Sequence, residues 1–401
     1  MARPLKIKIV LAPDSFKGSL SAVEAARAME RGIHSVSPGW RCEKIPLADG
    51  GEGTVRALLE ANGGILKKTR VSGPKGSMIE AEWGWLPDQK TAVLEMAQAS
   101  GLVLVPEKER NPLLTSTYGT GQMMLQALSH GCRAMIIGVG GSATNDLGSG
   151  MAQALGIRFY DDLDREIEEP MNGTLLSRVR RIDYSGLPPA LSQCDIRVAV
   201  DVDNPLLGPG GASYTYGPQK GASTEICEQL ESNMAHLAAL LASDHRDIRD
   251  LPGAGAAGGL GGGLVAFAGA ELASGASIVL DAVRFEERIA SAQFIFTGEG
   301  KLDRQTARGK TIAAVCAAAA RAGVPVVALV GQLDAAASVL ADIGVRAAFS
   351  ICRGPMQAQL ALRKAGSLLT AISAQVTSLI VLSGEVCETT EQGKILPFES
   401  S

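Results

Sequence analysis

The sequence predicts an α/β fold: a doubly wound, Rossmann-like parallel-sheet domain assembled from both ends of the chain, with a second, mixed α/β domain inserted into it. Two observations carry this expectation. Short apolar runs alternate with alanine-rich amphipathic stretches near both termini, the pattern of strands and crossover helices in a parallel sheet. In the middle the apolar period shifts from 3.6 towards 2, as in antiparallel strands. The many glycines, 47 of 401 residues, add tight turns and close backbone approaches.

Taken in order, Lys6 to Ala12 reads as a strand, Ser21 to Val36 as a helix, Glu43 to Leu47 as a strand and Gly53 to Ala61 as a helix. Ser21-Ala22-Val23-Glu24 is a capping box, and Val23, Ala26, Met29 and Ile33 recur at helical spacing. Lys67 to Val71, Met78 to Leu86 and Thr91 to Met96 read as antiparallel strands joined by Gly-Pro-Lys-Gly and Pro-Asp turns. Ala134 to Ile137 is a further strand. In the last third, strands at Gln293 to Thr297, Pro325 to Val330 and Ala347 to Ile351 alternate with helical segments such as Ile312 to Ala322. The expected boundaries are 1–66 and 285–401 for the discontinuous domain and 67–284 for the insertion, with the active site in the cleft between them.

A net charge of −4 with 20% charged residues indicates neither a nucleic-acid surface nor a disordered acidic tail, so small molecules are the expected partners. Seven cysteines without a C-x-x-C pair fit a reducing compartment, and a cytoplasmic location is expected. The first apolar segment is interrupted by Lys6 and Lys8 and ends at Pro13, too short for a signal peptide. Later apolar runs are broken by charge before reaching ~20 residues, so no membrane span is expected. The oligomeric state is open, a homodimer being one option.

Ligands of open parallel sheets gather beyond the carboxyl ends of the strands. Three predicted strands end in charged, glycine-bearing loops: APDSFKGS (12–19), ADGGEGT (48–54) and the start of TGEGKLDRQTARGKT (297–311). Asp14, Lys17, Asp49, Glu52, Glu299 and Asp303 thereby become candidate metal ligands, base and phosphate neutralisers, with Lys301, Arg304 and Lys310 beside the last pair. Each acid taken alone serves equally as a helix cap. The tail Gly309-Lys310-Thr311 imitates a P-loop, but Arg304 stands where that motif needs glycine.

In the middle region, GVGGSATNDLGSG (138–150) follows the strand 134–137. Gly138-x-Gly140-x-x-Ala143, with Asp161 and Asp162 further on, fits a relaxed dinucleotide fingerprint and supports a rival reading as an NAD-dependent hydroxy-acid oxidoreductase. Asn145 and Asp146 stand where a pyrophosphate would lie, which favours an anion nest instead. Gly253-x-Gly255-x-x-Gly258 follows a charged stretch unsuited to a buried strand, so it reads as a phosphate-contacting loop or a hinge. VAVDVDNPLLG (198–208) offers Asp201, Asp203 and Asn204 as hard-cation ligands, and GPQKG (217–221) offers Lys220. The histidines His34, His130, His236 and His245 lie outside all these loops, which leaves acids to move protons.

The ordered set APDSFKGS, ADGGEGT, GGSATND, DVDNPL, GPQKGA, GAGAAGG and TGEGKLDRQT resembles the bacterial glycerate kinase family, to about residue 380. The resemblance implies a discontinuous two-domain α/β fold and ATP-dependent phosphorylation of D-glycerate with a divalent metal, Mg²⁺, usually at the 2-hydroxyl; phosphorylation at the 3-hydroxyl is the alternative. On this reading Asp201 or Asp49 takes the hydroxyl proton and Lys17 holds the substrate carboxylate or moving phosphoryl. Asp14, Ser15, Lys17, Ser142 and Asn145 face substrate. Gly140, Gly141, Ser142, Lys220, Gly255, Gly258, Gly298 and Lys301 face ATP or phosphate, and Glu299, Asp303 and Asp203 hold the metal. The chain departs from the family pattern at Asp164, where a glycine turn is frequent, and at Lys301, where arginine is common.

Overall fold

The computed structural model describes residues 7–303 and 311–389. The chain forms two compact units, one up to Leu47 and from Arg284 onward, the other Ala48–Val283. The first junction therefore precedes the helix Thr54–Asn62, whereas the sequence pattern places that boundary at residue 66. The reason is packing and capping within the second unit. Glu95 Oε1, at the end of the strand Thr91–Glu95, accepts from the Val55 N–H at 2.8 Å, and Gly84 lies against Val55 and Leu59.

The terminal unit is built on a five-stranded sheet, ordered Val345–Ser350, Val326–Val330, Phe294–Gly298, Lys8–Pro13, Arg41–Lys44, with every pair parallel. Its central strands are apolar along their length, as expected for strands covered on both faces. The helix Ala22–Val36 starts at the expected capping box, with Ser21 Oγ accepting from Glu24 N–H and Glu24 reaching back to Ser21 N–H. It packs along the helix Ala358–Thr389 through Gly32, where a Cβ would come 2.2 Å from the Thr370 carbonyl oxygen. The segment Ala358–Ser383 is, by length and composition, apolar enough to cross a membrane, contrary to the expectation from charge interruption. Its inner face buries Leu368, Leu369, Ser373, Val376 and Thr377, and both buried hydroxyls return to carbonyls four residues back. A core helix of a globular unit passes the same length and composition test.

The second unit holds a six-stranded mixed sheet, ordered Glu271–Ala273, Asp195–Ala199, Ala134–Gly138, Thr91–Glu95, Met78–Leu86, Ile65–Ser72. The first four strands run parallel and the last two join antiparallel, as the change of period predicts. Asp164 takes φ 53°, a left-handed turn that favours glycine, and its carboxylate pairs with Arg181 at 2.5 Å.

Candidate active site

In the terminal unit the strand order reverses direction between Lys8–Pro13 and Phe294–Gly298, the kind of switch point beyond whose carboxyl ends ligands of open parallel sheets gather. Asp14 begins one loop and Glu299 the other. The Asp14 N–H donates to the Gly298 carbonyl at 2.8 Å, and Gly300 lies close to the Phe16–Lys17 backbone. Asp14 is buried, accepts from Ser15 N–H at 2.5 Å on Oδ1 and from the Thr311 hydroxyl at 2.6 Å on Oδ2. Ser15 is half-buried and Lys17 exposed, while Glu299, on the other loop, is buried. Lys301 is exposed, with its ammonium 3.1 Å from Asp303 Oδ2 and 3.5 Å from Asp334 Oδ2, and the Asp303 contact raises its pKa. Gly298 is buried in the sheet, where a Cβ would come 2.1 Å from Leu329 O; close strand packing already requires this glycine. Arg304 and Lys310 lie outside the described residues.

In the second unit the loop carrying Asp49 runs over the carboxyl ends of the parallel strands. A Cβ on Gly138 would come 2.3 Å from Gly50 O, and one on Gly50 the same distance from the Ala199 Cβ. Asp49 is half-exposed and accepts from Gly51 N–H at 3.1 Å. Asp201, exposed two residues beyond the strand Asp195–Ala199, accepts from Gly275 N–H at 3.0 Å, at the start of the helix Gly275–Ala282. Asp203 is exposed further along the same loop. Gly140 and Gly141 are exposed, and Ser142 is buried and bridges to Gly101.

Several residues expected at ligand lie deeper. Asn145 is fully buried, and its Oδ1 accepts from the Lys220 ammonium at 3.1 Å. Lys220 is 1% exposed and also donates to Thr144 O at 2.7 Å, so it braces this loop from inside and does not stand free for phosphate. Burial pulls its pKa down to about 7, against the opposing pull of nearby Asp146. Asp146, also fully buried, accepts from Thr117 N–H and hydroxyl at 2.8 and 2.7 Å; burial pushes its pKa up while these donors pull it down. Gly255 and Gly258 are not an open phosphate loop either. A Cβ on Gly255 would meet Pro205 O at 2.2 Å, and one on Gly258, at φ +71°, would meet Thr144 O at 1.9 Å. The glycines serve close packing of backbone on backbone.

The dinucleotide fingerprint is not realised in three dimensions. No helix starts at Ala143; the next helix is Ser149–Ala154, six residues long, and Asp161 is tied to Arg165 at 2.8 Å. A pyrophosphate site of that type needs a helix N-terminus directly after the glycines.

Among the described residues no three acids, histidines or cysteines gather into a metal cage. Glu299 and Asp303 lie in the terminal unit and Asp203 in the other. A nucleotide-borne Mg²⁺ needs only one or two protein carboxylates beside phosphate oxygens and water, and the oxygen-only donors Glu299 and Asp303 fit that chemistry.

Sequence reasoning missed Glu95 and Thr311. Glu95 is buried, with its pKa raised by burial, and holds the start of the helix that follows the Asp49 loop. The visible signal was an acid closing an otherwise apolar strand, TAVLE.

Acids, lysines and glycines on loops beyond the carboxyl ends of parallel strands define an α/β enzyme for a small, oxygen-rich anionic ligand. The sequence profile of the glycerate kinase family matches residues 9–381. A glycerate kinase of Halalkalibacterium halodurans is 48% identical over 364 residues, 90% of this chain and 95% of its own length. A glycerate 2-kinase of Escherichia coli is 47% identical over 346 residues, 86% of this chain and 90% of its own. A crystal structure assigned as glycerate kinase 2 from Salmonella typhimurium LT2 superposes with a TM-score of 0.86 at 43% identity, covering 94% of this chain and 99% of that one. The chain belongs to the glycerate kinase family and is an enzyme that phosphorylates glycerate, with ATP as the donor. The oxidoreductase reading is set aside.

Proposed function

We propose that the enzyme transfers the γ-phosphoryl of ATP to the 2-hydroxyl of D-glycerate, giving 2-phosphoglycerate and ADP. The observation that carries the position of transfer is the 47% identity to the Escherichia coli glycerate 2-kinase. In the reaction the hydroxyl oxygen bonds to phosphorus, the bond to the ADP oxygen breaks, and the hydroxyl proton leaves. Such a transfer asks the protein mainly to align groups and neutralise charge.

Asp201 is the preferred proton acceptor because it is exposed at a strand end yet fixed by the Gly275 amide; Asp49 is the second candidate. Lys17 is exposed and suited to the glycerate carboxylate or the moving phosphoryl, with Asp14 and Ser15 contributing oxygen contacts to substrate. Lys301 and the exposed Gly140–Gly141 backbone serve phosphate oxygens, with Ser142 beside them. Glu299 and Asp303 would hold Mg²⁺, which would neutralise phosphate charge when bound; Asp203 is the remaining oxygen donor near Asp201 in sequence. Lys220 and Asn145 act from beneath, shaping the loop. A cytoplasmic setting belongs to the same reading, supported by the free thiols.

The test is ADP release with Mg²⁺-ATP and D-glycerate, against L-glycerate and no-acceptor controls, with the product resolved by position. Glycerate-dependent ADP with 2-phosphoglycerate is expected. A 3-phosphoglycerate product would overturn the assigned position, and no glycerate-dependent ADP would overturn the substrate.

A further inference from the structure

The Gly309-Lys310-Thr311 tail looks in sequence like the end of a P-loop, whose hydroxyl would ligate a nucleotide-bound metal. The structure gives Thr311 another task. It is the first residue of the helix Thr311–Ala322, it is 1% exposed, and its hydroxyl donates to Asp14 Oδ2 at 2.6 Å across 297 residues of sequence. Asp14 stands where the sheet order reverses, with its own N–H held on Gly298 O at 2.8 Å and Oδ1 on Ser15 N–H at 2.5 Å. We propose that Thr311 is a positioning residue that fixes the Asp14 carboxylate for substrate, an inference that rests on the reading of Asp14 as a substrate contact.

The physical case is one of constraint. A carboxylate has about four lone-pair directions, of which the Ser15 amide takes one on Oδ1 and the Thr311 hydroxyl one on Oδ2. The two donors come from elements far apart in sequence: Ser15 continues the strand Lys8–Pro13, and Thr311 begins the helix that leads to Val326–Val330, two places along the sheet. Together with the backbone tie to Gly298 they hold the carboxylate plane in one orientation. Removing the hydroxyl leaves Oδ2 without this donor, and charge-assisted bonds of this kind are the stronger class. The cost then falls on substrate alignment, because Asp14 keeps its charge but loses one of the contacts that orient its side chain.

The experiment compares Thr311→Val, Thr311→Ser and Asp14→Asn, reading kcat, the KM values for glycerate and ATP, and the melting temperature. Thr311→Val is expected to lower kcat/KM for glycerate by about tenfold or more while the KM for ATP stays within about twofold. Thr311→Ser, which keeps the donor, is expected to restore wild-type values. A lowered melting temperature with unchanged glycerate kinetics in Thr311→Val would overturn the proposal, since a structural role alone produces that pattern. Should the valine variant not fold, Thr311→Ala gives the same comparison with a smaller side chain. The two readings fail separately: normal glycerate kinetics in Asp14→Asn would overturn the role of Asp14 itself, whereas an impaired Asp14→Asn beside a normal Thr311→Val would overturn only the positioning by Thr311.

Discussion

The backbone N–H of Gly275 donates to Asp201 Oδ1 at 3.0 Å, while the Cα of the same glycine sits so close to Asp49 that a Cβ would come 1.9 Å from the Asp49 carbonyl oxygen. One residue thus abuts both candidate proton acceptors. Gly275→Ala forces backbone against backbone, with no flexible side chain to yield. A displacement of about 1 Å in such a site lowers turnover on the order of 100-fold. Steady-state kinetics on the folded variant, with circular dichroism to confirm the fold, check this.

Asp201→Asn keeps an oxygen acceptor for the Gly275 amide but cannot take a proton at neutral pH. The expected outcome is a fall in kcat of roughly 10²- to 10⁴-fold with ATP affinity within about threefold of wild type. Isothermal titration with a non-hydrolysable ATP analogue, beside turnover, separates the two quantities. Unchanged turnover would move the role to Asp49.

Lys220 gives stability a pH dependence of known sign. Its folded pKa, about 7, lies below the ordinary lysine value of 10.5, so between these limits the unfolded chain holds more protons than the folded one. Stability therefore gains from this residue as pH rises from about 7 towards 10.5, by at most about 1.4 kcal/mol per pH unit, and the burial cost is fully present below that window. Relative to Lys220→Met, the wild type should gain in urea midpoint between pH 7 and 9. Parallel midpoints for the two proteins over that range would show that the ammonium is better solvated than its burial implies.

Gly32→Ala separates two helices that touch at this point, since the new Cβ would meet Thr370 O at 2.2 Å and Ser373 Cβ at 2.7 Å. Overpacking of this kind costs about 1 to 3 kcal/mol. Thermal unfolding should show the loss, and hydrogen exchange should place it in the helices Ala22–Val36 and Ala358–Thr389.

Local pattern alone determined most of the elements here. The capping box at Ser21 and Glu24, the antiparallel strands Ile65–Ser72 and Met78–Leu86, and the parallel strand Phe294–Gly298 follow from short-range periodicity and turn chemistry, which act within a few residues. The family was legible too, because its motifs are runs of particular residues in a fixed order. Tertiary structure alone decided depth and partnership. Lys220 and Asn145 are as polar in sequence as Lys17 and Ser15, yet the first two are enclosed and bonded to each other while the second two reach solvent. Gly255 and Gly258 read as a ligand loop until the Pro205 and Thr144 carbonyls are found against them. Thr311 and Asp14 meet across 297 residues, a pairing that no local pattern encodes. Burial and long-range hydrogen bonds are properties of the packed chain, set by which surfaces the sheet and its helices bring together, and they separate the residues that can meet a ligand from those that hold the loops in place.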